Sequence, residues 1–142
     1  MGANLKNEAI TLGLSTKGNS QILDITQEVQ SFLTSIHARQ GVVTVSVVGS
    51  TAGITSMEYE PGLIKDIPEM LDKIAPEGHY HHDSTWNDGN GHSHLRSSLM
   101  GTSQTFPVLE GQAALGTWQQ IVLIDFDIKP RKRQVILQFL GE

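Results

Sequence analysis

The chain has 142 residues, 38% of them hydrophobic and 18% charged. That is one domain's worth of sequence, over residues 1–142, too apolar for intrinsic disorder and long enough to bury a core without covalent staples. Ten Lys and Arg against fifteen Asp and Glu leave a net charge of −5, which argues against a nucleic-acid partner with its usual basic footprint. With no cysteine, disulfides, thiolate metal sites and cysteine nucleophiles are excluded. The longest apolar runs, such as residues 121–124, fall far short of the ~20 residues a bilayer helix needs. Residues 1–12 carry no charged-then-apolar signal pattern, so no membrane association and a cytoplasmic location are expected.

In chain order, residues 7–14 end in the alternation Ile10, Leu12, Leu14 and read as a strand, followed by a turn at Gly18–Ser20. Over 24–39, Ile25, Val29, Phe32, Leu33 and Ile36 fall on one helical face, with Gly41 at the far end. Residues 41–49 are β-branched and bounded by glycines, predicting a central strand. A loop at 50–53 and a short strand at 54–58 follow. Leu63, Ile64, Ile67, Met70, Leu71 and Ile74 keep the helical period, but Pro68 interrupts it, so a turn over 61–67 and a helix from 68 to 75 are expected. Residues 76–92 read as a polar, His-rich connection, and 95–100 as a short helix stopped by Gly101. Strands are predicted at 104–109, 112–115, 118–126 and 132–140. The sum is an α+β domain with a mostly antiparallel sheet.

Five of the six histidines lie between residues 79 and 94. Imidazole is the commonest protein metal ligand, and without cysteine any Zn²⁺ site must draw on His and carboxylate. His92 and His94 share a face if their backbone is extended; in a helix only one of them can serve. The alternative is a solvated polar loop. Glu58, Glu60 and Asp66 form a second group, with Glu58 at a strand end where a carboxylate could act as a base or simply meet solvent. Arg96, Ser97 and Ser98, with Thr117, offer guanidinium and hydroxyl groups suited to phosphate, although serines near a helix often only cap it. Lys129 to Arg133 reads as a solvated turn, and Trp118 as core or interface. No phosphate-loop, dinucleotide or nucleophile-elbow motif is present.

Taken as an ordered string, several segments resemble the YjbQ-like family, known as secondary thiamine-phosphate synthases. They are Ser50-Thr51-Ala52-Gly53-Ile54, Glu58, Asp66, Tyr80 with His82, the run from Ser93-His94-Leu95-Arg96 to Gly101, Gly116-Thr117-Trp118-Gln119 and Gly141-Glu142. The resemblance spans roughly residues 5–142. It implies a two-sheet β-sandwich with two or three helices, a homotrimer, and a site lined by His82, His94, Glu58 and Asp66. The implied reaction joins a pyrimidine diphosphate to a thiazole phosphate with release of pyrophosphate. Two positions depart from the family pattern: Ser50 stands where many members have histidine, and Met57 where asparagine often precedes the glutamate.

The expectation is therefore a metal-assisted enzyme on a small phosphorylated molecule. His82, His92 and His94 would hold a divalent metal, Zn²⁺ first, with His92 replacing the donor missing at Ser50. Glu58 and Asp66 would be catalytic, and Arg96, Ser97, Ser98 and Thr117 would bind phosphate. The alternative is a non-enzymatic trimeric protein binding a small anion. In a trimer, Trp118 and residues 121–124 should lie between subunits.

Overall fold

Alternating apolar positions over Val43, Val45, Val47 and over Val135, Leu137, Phe139 require two neighbouring strands with one face turned inward. A computed structural model, which describes residues 4–142, shows them paired in register at the centre of a five-stranded sheet. The strand order is β1 (Lys6–Thr16), β8 (Arg131–Gly141), β3 (Gly41–Val48), β5 (Ser103–Leu109) and β6 (Gln112–Ala113). A second sheet has the order β2 (Gln21–Asp24), β7 (Gln120–Asp125), β4 (Ala52–Met57). Every pairing is antiparallel.

The main core fills the space between the sheets. Val43, Val45, Leu137 and Phe139 face Ile54, Ile121 and Leu123, with Val29, Phe32 and Leu33 of α1 (Thr26–Ser35) closing one side. Each large aliphatic buried this way contributes about 1.5–3 kcal/mol. A second cluster lies on the other face of the small sheet, where Ile22, Met57, Val122 and Ile124 meet Leu71 of α2 (Pro61–Ile74). The small sheet is thus covered on both faces, which explains why residues 121–124 form an unbroken apolar run. All four are fully buried within the chain, so the expected subunit contact through them is corrected. Trp118, 73% exposed, is not core.

Four helices occur among the described residues rather than two or three. α2 starts at Pro61, seven residues earlier than predicted, and runs through Pro68. Glu60 accepts from the backbone N–H of Gly62 and Leu63, and proline at the first helical position has no N–H to strand. The apolar face of Leu63, Ile64, Ile67 and Leu71 outweighs the one bond lost at Pro68. The predicted His-rich connection holds α3 (His81–Trp86), and α4 (Gly91–Met100) begins four residues earlier than expected. The short strand β2 was not foreseen. No helix among the described residues is long and apolar enough to cross a membrane.

Candidate ligand and metal site

Asp83 explains how α3 and α4 meet. Its Oδ2 accepts from the Tyr80 backbone N–H at 3.0 Å and its Oδ1 from the Gly91 N–H at 3.0 Å, so one carboxylate ties together the starts of both helices. A Cβ at residue 91 would lie 3.0 Å from Asp83 Oδ2 and 3.0 Å from Tyr80 Cβ, which makes glycine the residue that permits this approach. The Tyr80 N–H bond holds the Asp83 carboxyl below its ordinary range; burial opposes this, and His82 and Gly91 reinforce it.

The same carboxylate orients His82. Nδ1 of His82 is 3.3 Å from Asp83 Oδ1 and 3.6 Å from Asp88 Oδ1. A proton on Nδ1 facing two carboxylates leaves Nε2 with its lone pair available, the arrangement usual behind a metal-ligating histidine. The His82 and His94 rings stack with centroids 4.4 Å apart, tilted by 40°. His82, Asp83 and Asp88 also bring three potential donor atoms within 4.8 Å of one another. However, both Asp83 oxygens already accept backbone N–H groups, and Asp88 Oδ1 accepts from Asn90 N–H at 3.1 Å. Their chemistry is that of holding His82.

His94 lines a cavity of about 380 Å³ together with Gly49, Ser50, Ser97, Ser98, Gly101 and Thr102. The opening is rich in hydroxyl groups and none of these residues carries a carboxylate. The Ser97 hydroxyl is already committed, donating to the Ala52 carbonyl at 2.6 Å. Ser98 is exposed at the cavity wall.

Other predicted site residues lie elsewhere. Helical backbone turns about 100° per residue, so His92 and His94 point to opposite sides of α4. His92 is buried, with Nε2 3.6 Å from Glu77 Oε1. Burial and the nearby Arg96 charge hold it below its ordinary value of 6.5, against Glu77, Asp83 and Asp72. It does not complete a histidine triad, and the expectation that it replaces a donor at Ser50 is corrected. Arg96 is likewise turned inward: Nε donates to the Ala75 carbonyl at 3.0 Å, Nη1 to Ser20 Oγ at 3.1 Å and Nη2 to Asp72 at 2.8 Å. It binds the fold together rather than joining the expected phosphate cradle. Thr117 sits on an exposed turn before β7, and Glu58 and Asp66 are exposed outside the cavity lining.

The sequence reading missed a buried ionic network at one end of the sandwich. Arg133 grips Asp125 through two bonds, Nε to Oδ2 at 2.7 Å and Nη2 to Oδ1 at 2.9 Å, and donates to Thr51 Oγ at 2.6 Å. Asp127 Oδ2 accepts from Thr51, Asn90 and Arg131. Burial pushes the Asp127 carboxyl up, but donors from Lys129 N–H, Thr51, Asn90 and Arg131 together hold it below the usual carboxylate range. Two carboxylates closing a fully apolar strand were the available signal. The turn read as solvated instead supplies a buried arginine, Arg133, and Arg131 paired to Asp127.

Comparison with known proteins now decides the relationship. Residues 10–142 match the family model described as UPF0047 protein YjbQ-like. The chain belongs to the UPF0047 YjbQ-like family. A UPF0047 protein of Archaeoglobus fulgidus is 39% identical over 130 residues, covering 91% of this chain and 98% of the relative. The UPF0047 protein YugU of Bacillus subtilis is 34% identical over 133 residues, 92% of this chain and 98% of that one. A crystal structure from Sulfolobus solfataricus, described as a YbjQ-like protein of unknown function, superposes with a TM-score of 0.92 at 29% identity over 98% of this chain and 100% of that chain. Within this UPF0047 domain Ser50 faces the cavity shared with His94, so the departure noted in the sequence falls at the site itself.

Proposed function

We propose that this UPF0047 protein is a metal-assisted enzyme acting on a small phosphorylated molecule. The observation that carries the reading is the His82–His94 ring pair, in which Asp83 orients His82 and His94 lines a cavity walled by hydroxyl groups. The donor set fits a divalent cation, Zn²⁺ first, held by His82 Nε2 and a ring nitrogen of His94, which leaves coordination positions for ligand oxygens. Such a cation supplies charge neutralisation for a departing phosphate group. Asp83 keeps the proton on His82 Nδ1 and fixes the ring. Ser98 and Thr102 offer hydroxyl donors to phosphate oxygens. The resemblance to secondary thiamine-phosphate synthases supplies the reaction: a pyrimidine diphosphate joins a thiazole phosphate and pyrophosphate leaves. Glu58 and Asp66 lie outside the cavity lining, so no proton transfer is assigned to them.

One observation favours a second reading, a homotrimeric protein that binds an anion without turning it over: no carboxylate lines the cavity to act as a base. Zinc titration by calorimetry, combined with a pyrophosphate-release assay on the two thiamine precursors, separates the readings. Saturable zinc binding lost in His82→Ala and His94→Ala, with release of pyrophosphate, supports the enzyme. Zinc binding without release supports the binding protein, and absence of zinc binding removes the metal from both. Light scattering at micromolar concentration tests the trimer.

A further inference from the structure

β1 forms one edge of the large sheet. It pairs only with β8, through eleven consecutive residues without a bulge, and its other edge has no partner among the described residues. Natural sheets usually blunt so long an edge with proline, a bulge or several lysines. β1 has no proline and a single lysine, Lys6, at its start.

Beside this edge runs a groove of about 390 Å³ between β1 and α1. Ile10, Leu12 and Phe32 give it an apolar floor, and Ser31 and Ser35 a polar rim. Ile10 is 40% exposed, large for an aliphatic side chain on a strand. Glu28 also lines the groove, and its Oε2 is closed off from water with no hydrogen-bond partner, the one such side-chain atom among the described residues. Leaving a charged acceptor unmet is costly, so an incoming cation would be favoured there. Rotation about the soft terminal torsion of glutamate can turn the tucked oxygen outward.

An open strand edge flanked by a helix, with an apolar floor between them, is the arrangement by which sheets take up an extended peptide. Main-chain groups of such a peptide bond the edge, and every second side chain enters the groove. We propose that β1 and α1 form a strand-addition site for an extended segment of a partner protein, with an aliphatic residue over Ile10 and Leu12 and, two residues away, a Lys or Arg bonded to Glu28. The protein's net charge of −5 favours the same basic partner.

The probe is the capped pentapeptide Val-Ser-Lys-Thr-Val, whose two valines and lysine share one face of an extended chain, titrated into ¹⁵N-labelled full-length protein and followed by amide shifts and hydrogen exchange. The expected result is saturable shifts and slowed exchange confined to β1 and α1. Affinity should be about tenfold weaker when the probe's Lys is Glu, or in Glu28→Gln. A probe N-methylated at the residues whose N–H groups face β1 should not bind, because it cannot complete the ladder. Binding that ignores N-methylation, or that is unchanged in Glu28→Gln, overturns the proposal. So does the absence of shifts at β1. Protection of β1 that grows with protein concentration without any probe also overturns it, because a second copy would then hold the edge.

Discussion

Replacing Arg96 separates a structural role from the phosphate-binding role its sequence context suggested. In Arg96→Ala, the Ala75 carbonyl and Ser20 Oγ each lose a buried donor. A buried polar group left unmet costs about 1–3 kcal/mol. The ion pair to Asp72 adds little, because Asp72 is 64% exposed and surface pairs contribute about 0–1 kcal/mol. Loss of the packed aliphatic stem adds to this, giving about 3–4 kcal/mol in all. For a chain of this length that corresponds to a fall in Tm of roughly 10–14 °C. The assay is thermal unfolding with parallel urea titration, at fixed protein concentration because an oligomer would otherwise shift the midpoint. A fall of less than about 3 °C would mean that the bonds to Ala75 and Ser20 carry little of the stability and that Arg96 is available to bind an anion.

Folding stability should decline as pH drops below 6.5, because unfolded chains protonate a histidine that buried His92 keeps neutral; urea midpoints in His92→Gln should show a flatter acid limb between that pH and the depressed native value. A further decline in urea midpoint is expected as pH falls below the ordinary carboxylate value of 3.8, where Asp83 and Asp127 protonate in the unfolded chain while the native fold still holds them ionised. Asp83→Asn should weaken zinc binding about 10–100-fold by calorimetry, since the ring of His82 loses the charge of its orienting acceptor and one of the two oxygens that fix it between Tyr80 and Gly91 becomes a donor. Ser50→His should tighten zinc binding by at least about tenfold, because it adds an imidazole to the cavity that His94 lines, a third donor beside the proposed His82 and His94; unchanged affinity would place the metal elsewhere. Arg133→Met should be destabilised by about 3–5 kcal/mol in urea, as it leaves Asp125 charged and buried without its partner.

Periodicity carried most of the architecture. The alternation in β3 and β8 and the one-sided stripe of α1 are direct consequences of burial, and both stand in the sequence itself. Residues 121–124 were visible as a strand, but their burial on both faces was not, because an unbroken apolar run looks the same against a second subunit as against α2. The start of α2 was missed because Pro68 was weighed as a local breaker, whereas packing of Leu63, Ile64, Ile67 and Leu71 decides the outcome. In the site, composition points only to the histidine-rich stretch, and it is the family resemblance that singles out His82 and His94 within it. Asp83, adjacent to His82 in sequence, was overlooked because its importance lies in the Gly91 N–H, eight residues away. Arg96 and His92 were misplaced for one reason: local sequence does not reveal which side of α4 faces inward.

The three donors converging on Asp127 come from three different parts of the fold. Thr51 leads into the small sheet, Arg131 opens β8 of the large one, and Asn90 immediately precedes α4. A greasy interior tolerates small slippage between layers, whereas a shared acceptor with directional bonds permits a single alignment. Because Asn90 stands four residues from His94, any sliding of one sheet over the other would be transmitted mechanically to that imidazole. The spacing of the paired rings is thus governed from the far side of the carboxylate, and substitutions at Thr51 or Arg131 should be felt at the cavity without touching it.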